Sequence, residues 1–460
     1  MRRRFRCRTG GARKWHHCTS PGISCVFWAR SHIRIGCLSG YASADPQRER
    51  SCNAEGLSMR QPLAVIVGAG VAGLSAAWWL NRIGWQSLII ERAANLRAGG
   101  YMMSLSGPGY EVARRMGLME RLQQVRHRSS ESIYFDKHGR ELLRLRHREF
   151  LKEFSYLVLR RGDLVKALAE MTRADCDLRL STEVARTELW GDRVGVTLSD
   201  GSAIEADLVI AADGVSSTVR REMIAADSDV MKPLGYRFAA YDVPDTLAPN
   251  ADFLSYAAPG RISEFYKLSK GRLAALHVWS RPSPTRQGPP SAFDELADVF
   301  RDDHLNVRNI IAAGSREERP LLIDDMMLVE APVWSRGRVV LTGDAAHCIT
   351  LISGQGAGMA MTGAAVLADE IGRNENVRQA LIAYEARMRG PIGRLQNRSR
   401  NIARWFVPHS VIGFHLRNFA LRNMPSRMLA RYFRRSLESE ILASNLSDAQ
   451  DQLAEPEKSR

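Results

Sequence analysis

The chain has 460 residues, 45% of them hydrophobic and 25% charged, with a formal net charge of +15. That length can bury the cores of two packed domains, and no apolar run approaches the roughly 18 consecutive residues of a membrane-spanning helix, so a transmembrane segment is excluded. Five of the seven cysteines fall before residue 53, which makes no disulfide framework; Cys176 and Cys348 alone in the body fit a reducing cytoplasm, the expected location.

The excess charge is concentrated at the start. Residues 1–58 carry eleven basic residues against three acidic ones, with no apolar period long enough to bury a face, and are expected to be a disordered extension. An Arg-rich, acid-poor start can also act as a transit peptide, and spaced cysteines with His16, His17 and His32 can suggest zinc or nucleic acid. The cysteines lack a paired C-x-x-C spacing, however, and the apolar stretch at 23–29 is short for a signal peptide. Met59 stands just ahead of the first expected strand, so the favoured reading is an extension upstream of the true start. No nucleic-acid or metal partner is expected.

Next come Ala64-Val65-Ile66-Val67, a β-branched run, and Gly68-Ala69-Gly70-Val71-Ala72-Gly73, opening a helical pattern to about Arg82. This is strand, glycine turn, helix. Gly68 permits the tight turn, Gly70 lets the backbone approach a pyrophosphate, and Gly73 lets the helix pack closely on the sheet. The free N–H groups and positive end of the helix, at Gly70, Val71 and Ala72, suit a phosphate. A second strand, Ser87-Leu88-Ile89-Ile90, ends at Glu91 with Arg92 beside it. A carboxylate at that point is placed to accept from ribose hydroxyls. The fingerprint by itself does not separate FAD from NAD.

Further along stand Arg161-Gly162-Asp163-Leu164 with Leu168, then the strand Leu208-Val209-Ile210-Ala211 leading to Asp213-Gly214-Val215-Ser216-Ser217-Thr218-Val219-Arg220. Residues 237–243 and 261–268 read as strands with turn signals. The strand Arg338-Val339-Val340-Leu341-Thr342 leads to Gly343-Asp344-Ala345-Ala346-His347, and Gly354-Gln355-Gly356-Ala357 opens a helix to about Ile371.

This order of motifs, from Val65 to about Ile371, resembles the para-hydroxybenzoate hydroxylase-like family of class A flavin monooxygenases. The resemblance implies an α/β fold: a Rossmann-type FAD-binding domain at 59–230 and 325–395, an inserted antiparallel β-sheet substrate domain at 231–324 with contributions from 95–160, and C-terminal helices and a tail at 396–460. It implies FAD contacts from Arg161, Asp213, Gly214, Gly343 and Asp344, with Asp344 on a ribityl hydroxyl and Arg161 on the pyrophosphate or ribityl chain. Arg160 competes with its neighbour for that role. The helix opened by Gly354, Gly356 and Ala357 can aim its positive end at the flavin N1–C2=O edge.

The segment Leu96-Arg97-Ala98-Gly99-Gly100-Tyr101 looks most like the tetracycline- and polyketide-modifying branch. Two positions depart from the family pattern: Leu351 where many members have proline, and Gly363-Ala364 where many have Asp-Ala. The implied activity is NAD(P)H- and O2-dependent hydroxylation of an aromatic or polycyclic small molecule through a flavin C4a-hydroperoxide. The alternatives are a flavin reductase or oxidase on the same fold, resembling geranylgeranyl reductases, and a flavoprotein that binds a ligand without turnover.

Tyr101 and Met103 are candidates for the substrate side, with an apolar core role the alternative. His347 is a candidate acid or base, with loop-holding the commoner role of such a residue. No H-E-x-x-H, P-loop or second G-x-G-x-x-G is present, so no metal is expected and the nicotinamide docks transiently. The stretch 387–435 strings arginines among aromatics. Such helices usually close a domain with arginine outward, and peripheral contact with a membrane is the alternative.

Overall fold

The computed structural model describes residues 18–20, 23–25, 60–96, 101–127, 131–146, 155–247, 252–268, 271–281, 291–317 and 321–423. It divides the chain into two units, Met1–Met59 and Arg60–Arg460. In the first, strands β1 (Cys18–Ser20) and β2 (Ile23–Cys25) pair antiparallel. The rest of the expected N-terminal extension, Gly99-Gly100 and the expected tail lie outside the described residues.

The second unit begins β3 (Leu63–Val67), α1 (Val71–Arg82), β4 (Gln86–Ile90), β5 (Met102–Ser106), α2 (Gly107–Arg115), α3 (Met119–Val125), β6 (Glu131–Asp136) and β7 (Glu141–Arg146). There follow β8 (Tyr156–Arg160), α4 (Arg161–Thr172), β9 (Asp177–Arg179), a meander β10 (Val184–Trp190), β11 (Arg193–Leu198) and β12 (Ala203–Ala206), then β13 (Leu208–Ala211), α5 (Thr218–Met223) and α6 (Asp227–Val230). The second large sheet draws on β14 (Met231–Pro244), β15 (Phe253–Ala258), β16 (Arg261–Leu268) and β17 (Arg272–Ser280), followed by α7 (Ala292–Val299), α8 (Leu305–Arg316) and β18 (Leu322–Val329). The chain then returns through β19 (Ser335–Arg336), β20 (Val339–Leu341), α9 (Asp344–His347), α10 (Gly356–Arg373), α11 (Val377–Phe406) and α12 (Val411–Asn423).

The first sheet has the order β19-β20-β13-β3-β4-β9 and is parallel except at β19. Its central strands are unbroken apolar runs because both faces are covered, and Val65, Ile66, Val209, Ile210 and Val340 are wholly buried. Helices α1 and α10 pack against each other over this sheet. The strands of the two sheets interleave along the chain: β6 and β7 of the second fall between β4 and β9 of the first, and β19 and β20 rejoin the first from residue 335 onward.

The second sheet has the order β18-β14-β17-β16-β15-β6-β7. It is antiparallel except where β15 lies parallel to β6. The parallel pair arises because β6 precedes β15 by more than a hundred residues, and a long crossover, unlike a hairpin, does not impose an antiparallel partner. Alternation along the strands gives the sheet two apolar faces. One, with Tyr241, Phe265, Ala275 and Trp279, packs on Leu296, Phe300, Val307 and Ile310 of the α7–α8 region. The other, with Tyr236, Ala240, Leu276, Val278 and Met326, meets Ala403, Val407 and Phe414 at the C-terminal helices.

Several arginines of α11 tie it to the body instead of facing solvent. Arg387 lies 2.6 Å from Asp369 and 2.9 Å from Glu370 of α10, and Arg400 pairs with Glu330. Ile412, Leu416 and Phe419 of α12 are exposed. Among the described residues, no helix is long and apolar enough to cross a membrane.

His277 is the polar centre of the face under α7 and α8. Its Nε2 lies 2.9 Å from the Tyr241 hydroxyl and its Nδ1 2.8 Å from the Ser263 hydroxyl. Burial holds the imidazole down to about 3, so it is neutral. An unfolded histidine titrates near about 6.5, so between these values the unfolded chain takes up a proton that the folded chain refuses. This contribution to stability is complete above about pH 6.5 and is lost as pH falls toward about 3. His277→Leu is expected to cost about 2–4 kcal/mol at neutral pH by stranding two buried hydroxyls. Urea unfolding at about pH 7 and about pH 5 should show that loss and a shallower pH dependence than in the parent chain.

Candidate cofactor and substrate groove

A cleft of about 360 Å³ opens at the carboxyl ends of β3, β4 and β13, with a smaller lobe of about 70 Å³ beside it. The two share Gly70, Tyr101, Arg161, Gly214 and Asp344 among their walls. This is the edge at which parallel α/β sheets take ligands, since β-strand ends and helix N-termini converge there.

The glycine turn is shaped by backbone contact. Gly68 has φ +104°, and a Cβ there would stand 2.5 Å from the Ala212 carbonyl oxygen; one at Gly73 would stand 2.0 Å from that of Gly68. Gly70 is different. A Cβ on it would meet no protein atom nearer than Arg161 Nη2 at 3.9 Å, so what it keeps open is the cleft itself. The N-terminus of α1 has no side-chain cap and no acidic residue in its first turn. Its unpartnered N–H groups and positive end therefore stay available to an anion.

Glu91 lines the cleft and is held under the turn, accepting from Ala69 N at 2.8 Å and Ala93 N at 2.9 Å. Each carboxylate oxygen keeps a further lone pair for a ligand hydroxyl. Arg92 lines the same stretch. The adjacent arginines at the β8–α4 junction divide their work. Arg160 is committed to Asp163 at 3.2 Å and Asp242 at 2.9 Å, whereas Arg161 lines both lobes.

Asp213 accepts from Thr218 N at 2.8 Å and from the Thr218 hydroxyl at 3.2 Å, while its Oδ1 is buried with no partner. Gly214, with φ +84°, has no atom within 4 Å of a would-be Cβ. Arg220, wholly buried, donates to the Val215 and Ala345 carbonyls and to Asp227. It thereby pins the loop after β13 to α9, the short helix after β20. In the sequence Arg220 stands only as the last residue of its motif, with nothing local to mark this role.

Asp344 lines both lobes. Burial pushes its carboxyl above the usual carboxylate range, and Arg161 and the Cys348 thiol pull it partly back. Val71, Ala72, Met103, Gly354, Gly356 and Ala357 line the smaller lobe, and α10 presents an N-terminus without a side-chain cap to it. Gly343 and Gly73 act behind the walls; a Cβ on Gly343 would fall 2.7 Å from that of Ala72.

Tyr101 lies edge-on to Phe238, ring centroids 6.3 Å apart, and burial raises its hydroxyl. His347 is not brought to the cleft. It is buried against Trp334 at 4.9 Å, its Nε2 has no partner, and burial lowers it to about 4, which keeps it neutral. Two stretches of wall went unread in the sequence: Thr182–Val184 and the β18 residues Leu322, Asp324, Asp325 and Met326. No local motif marks either, since long-range strand pairing puts them there.

These walls fit an elongated dinucleotide: an open approach at Gly70, an uncapped helix N-terminus, a guanidinium, a carboxylate at the ribose position and an orphaned Asp213 oxygen. Fold and groove together define an FAD-binding α/β flavoprotein. Residues 62–394 match the family model described as FAD binding domain, and the chain belongs to this family, the FAD-binding flavin monooxygenases. It is 29% identical over 334 residues to a flavin-dependent monooxygenase of Legionella longbeachae, covering 71% of this chain and 84% of that one. It is 32% identical over 358 residues to 3-hydroxybenzoate 6-hydroxylase 1 of Aquipseudomonas alcaligenes, covering 75% and 89%. Among solved structures, the tetracycline destructase Tet(51) superposes with a TM-score of 0.67 at 24% identity, covering 83% of this chain and 98% of that one. Klebsiella pneumoniae HpxO with FAD and uric acid superposes at 0.71 with 22% identity and the same coverage. At those identities the likeness is one of fold. The protein is an oxidoreductase, a flavin-dependent monooxygenase.

The division between the two arginines is testable by FAD titration of the apoprotein. Arg161→Met is expected to weaken FAD binding by about tenfold or more, the loss of a charge-assisted contact. Arg160→Met should act mainly on thermal stability, by removing the contact between the β8–α4 junction and Asp242 of the second sheet.

Proposed function

We propose that this flavin monooxygenase takes electrons from NADPH or NADH and hydroxylates an aromatic or polycyclic small molecule seated between the groove and the sheet face that carries Phe238. The observation that supports this reading most is continuity. The cleft lined by the glycine turn and Arg161 is lined also by Phe238, Leu322, Asp324 and Met326 of the second sheet.

In this reading the α1 N-terminus at Gly70 and Arg161 hold the FAD pyrophosphate, Glu91 accepts from the ribose hydroxyls, and Asp344 accepts from the ribityl chain. The α10 N-terminus at Gly354 and Gly356 sets its positive end toward the pyrimidine edge of the ring, favouring negative charge there. Bound FAD supplies the redox chemistry, passing electrons from the nicotinamide to dioxygen so that one oxygen atom enters the product and the other leaves as water. Tyr101 and Met103, at the smaller lobe, set the boundary between ring and substrate and help exclude water. The hydroxylase relative and the uric acid in the HpxO structure support a ring substrate.

Purified protein should show flavin absorbance bands, and NADPH added in air should be consumed with oxygen faster when a phenol or a tetracycline is present. Ligand-stimulated oxygen uptake with a hydroxylated product is the expected result. NADPH oxidation that no ring compound accelerates, with no oxygenated product, would overturn the hydroxylase reading in favour of a reductase or a binding protein.

A further inference from the structure

The sheet face over the groove has a charge pattern of its own. Strand register places Leu322, Ala240, Leu276, Glu264, Ser255 and Tyr134 side by side in one lateral row. Phe238 and Asp324 stand in the neighbouring row, and Tyr266 and Asp242 in the row beyond Glu264. Residues two apart on a strand share a face. Leu322, Phe238 and Asp324 line the cleft, so Glu264 belongs to the same face, three strand spacings from Leu322, or roughly 14 Å.

Among the described residues, no strand position in these three rows is basic, and the acidic ones differ in how they are used. Asp242 is neutralised by Arg160 at 2.9 Å. Asp136, at the far edge, accepts from the backbone N–H groups of His138 and Arg140 in its own turn. Glu264, in the middle, has no ion pair. Its contact is the Tyr266 hydroxyl, which donates from 3.5 Å. Beside it the Ser255 hydroxyl is wholly buried and has no partner.

The other groups around this spot are Tyr134, whose hydroxyl is buried, His127, whose ring is edge-on to Tyr266, and Arg417 of α12 on the Tyr134 side. The Arg417 guanidinium is already spent on the Phe406 carbonyl at 2.7 Å and on Asn418 Oδ1 at 2.8 Å. Burial pushes the Glu264 carboxyl up to about 7. It therefore exchanges between donor and acceptor near neutral pH, and a second negative charge beside it is costly in so dry a place.

Resting on the hydroxylase reading above, we infer that Glu264 and Ser255 determine specificity for the far end of the substrate. They select a multi-ring molecule that presents a hydroxyl or amine there, and they reject one that presents a carboxylate. A single ring beneath Phe238 falls short of Glu264, and a longer one that reaches it meets a carboxyl without an ion pair and a hydroxyl without a hydrogen-bond partner. A ligand donor satisfies both, giving the Ser255 hydroxyl the partner it lacks and the Glu264 carboxyl a partner besides Tyr266.

The test titrates the FAD-loaded full-length protein, followed by flavin absorbance, with three probes of one skeleton: 2,6-dihydroxynaphthalene, 6-amino-2-naphthol and 6-hydroxy-2-naphthoate. The hydroxyl and amine probes are expected to bind about tenfold or more tightly than the carboxylate. Glu264→Gln should narrow that gap to about threefold with FAD content and thermal midpoint retained. Ser255→Ala, which removes a hydroxyl and almost no packing, should weaken the two favoured probes about fivefold. Equal binding of all three probes, binding of none, or a gap unchanged in Glu264→Gln overturns the inference. Oxygen uptake measured in parallel keeps the two claims apart. Charge selectivity without uptake upholds Glu264 while the hydroxylase reading fails, and uptake without selectivity does the reverse.

Discussion

Backbone pressed on backbone at the first glycine turn is the constraint on which the rest of the molecule depends. With no Cβ at Gly68 or Gly73, β3 can turn straight into α1 against the Ala212 and Gly68 carbonyls. That brings the uncapped start of α1 to the mouth of the sheet. A methyl group at either position meets carbonyl oxygen closer than any real contact permits, so helix and sheet would have to separate. The cleft exists because this approach is possible, and Gly343 repeats the device where α9 comes against Ala72.

The other elements are then arranged around an anion-seeking helix end. Arg220 fastens the loop after β13 to α9 from inside, and Glu91 fastens the turn from below. At the β8–α4 junction, two consecutive arginines serve two parts of the molecule. Arg160 reaches Asp242 in the second sheet, and Arg161 faces the cleft. One peptide step thus couples the sheet that roofs the groove to the guanidinium that supplies its positive charge.

Local motifs were legible in the sequence where chemistry demands a residue type at a fixed spacing. The glycine turn, the acid at Glu91 and the approach of Asp344 are of this kind, because each is set within one strand–turn–helix unit. Side-chain direction was not legible. The spacing to Leu164 and Leu168 favours Arg161 over Arg160 without showing where either guanidinium points, and the motif spacing that carries His347 does not show that its imidazole turns away onto Trp334. Walls built by distant pairing were also invisible. Asp324 reaches the cleft through its register with Phe238, and β6 joins the second sheet by a parallel pairing with β15 that no hairpin signal announces. Glu264 reads in sequence as one acid in a strand; only the lateral row shows it as a carboxyl without an ion pair on the roof. The unevenness has a physical source: turn chemistry is local, while strand register is settled by the whole sheet.

The most direct test of the central claim is FAD affinity in Gly70→Val, measured by quenching of flavin fluorescence. The new side chain enters open cleft, with Arg161 Nη2 at 3.9 Å from its Cβ as the nearest protein atom. The protein should therefore fold with a thermal midpoint close to that of the unsubstituted apoprotein, and FAD should no longer bind measurably. Binding of FAD at undiminished affinity by folded Gly70→Val would contradict the placement of the pyrophosphate at the start of α1.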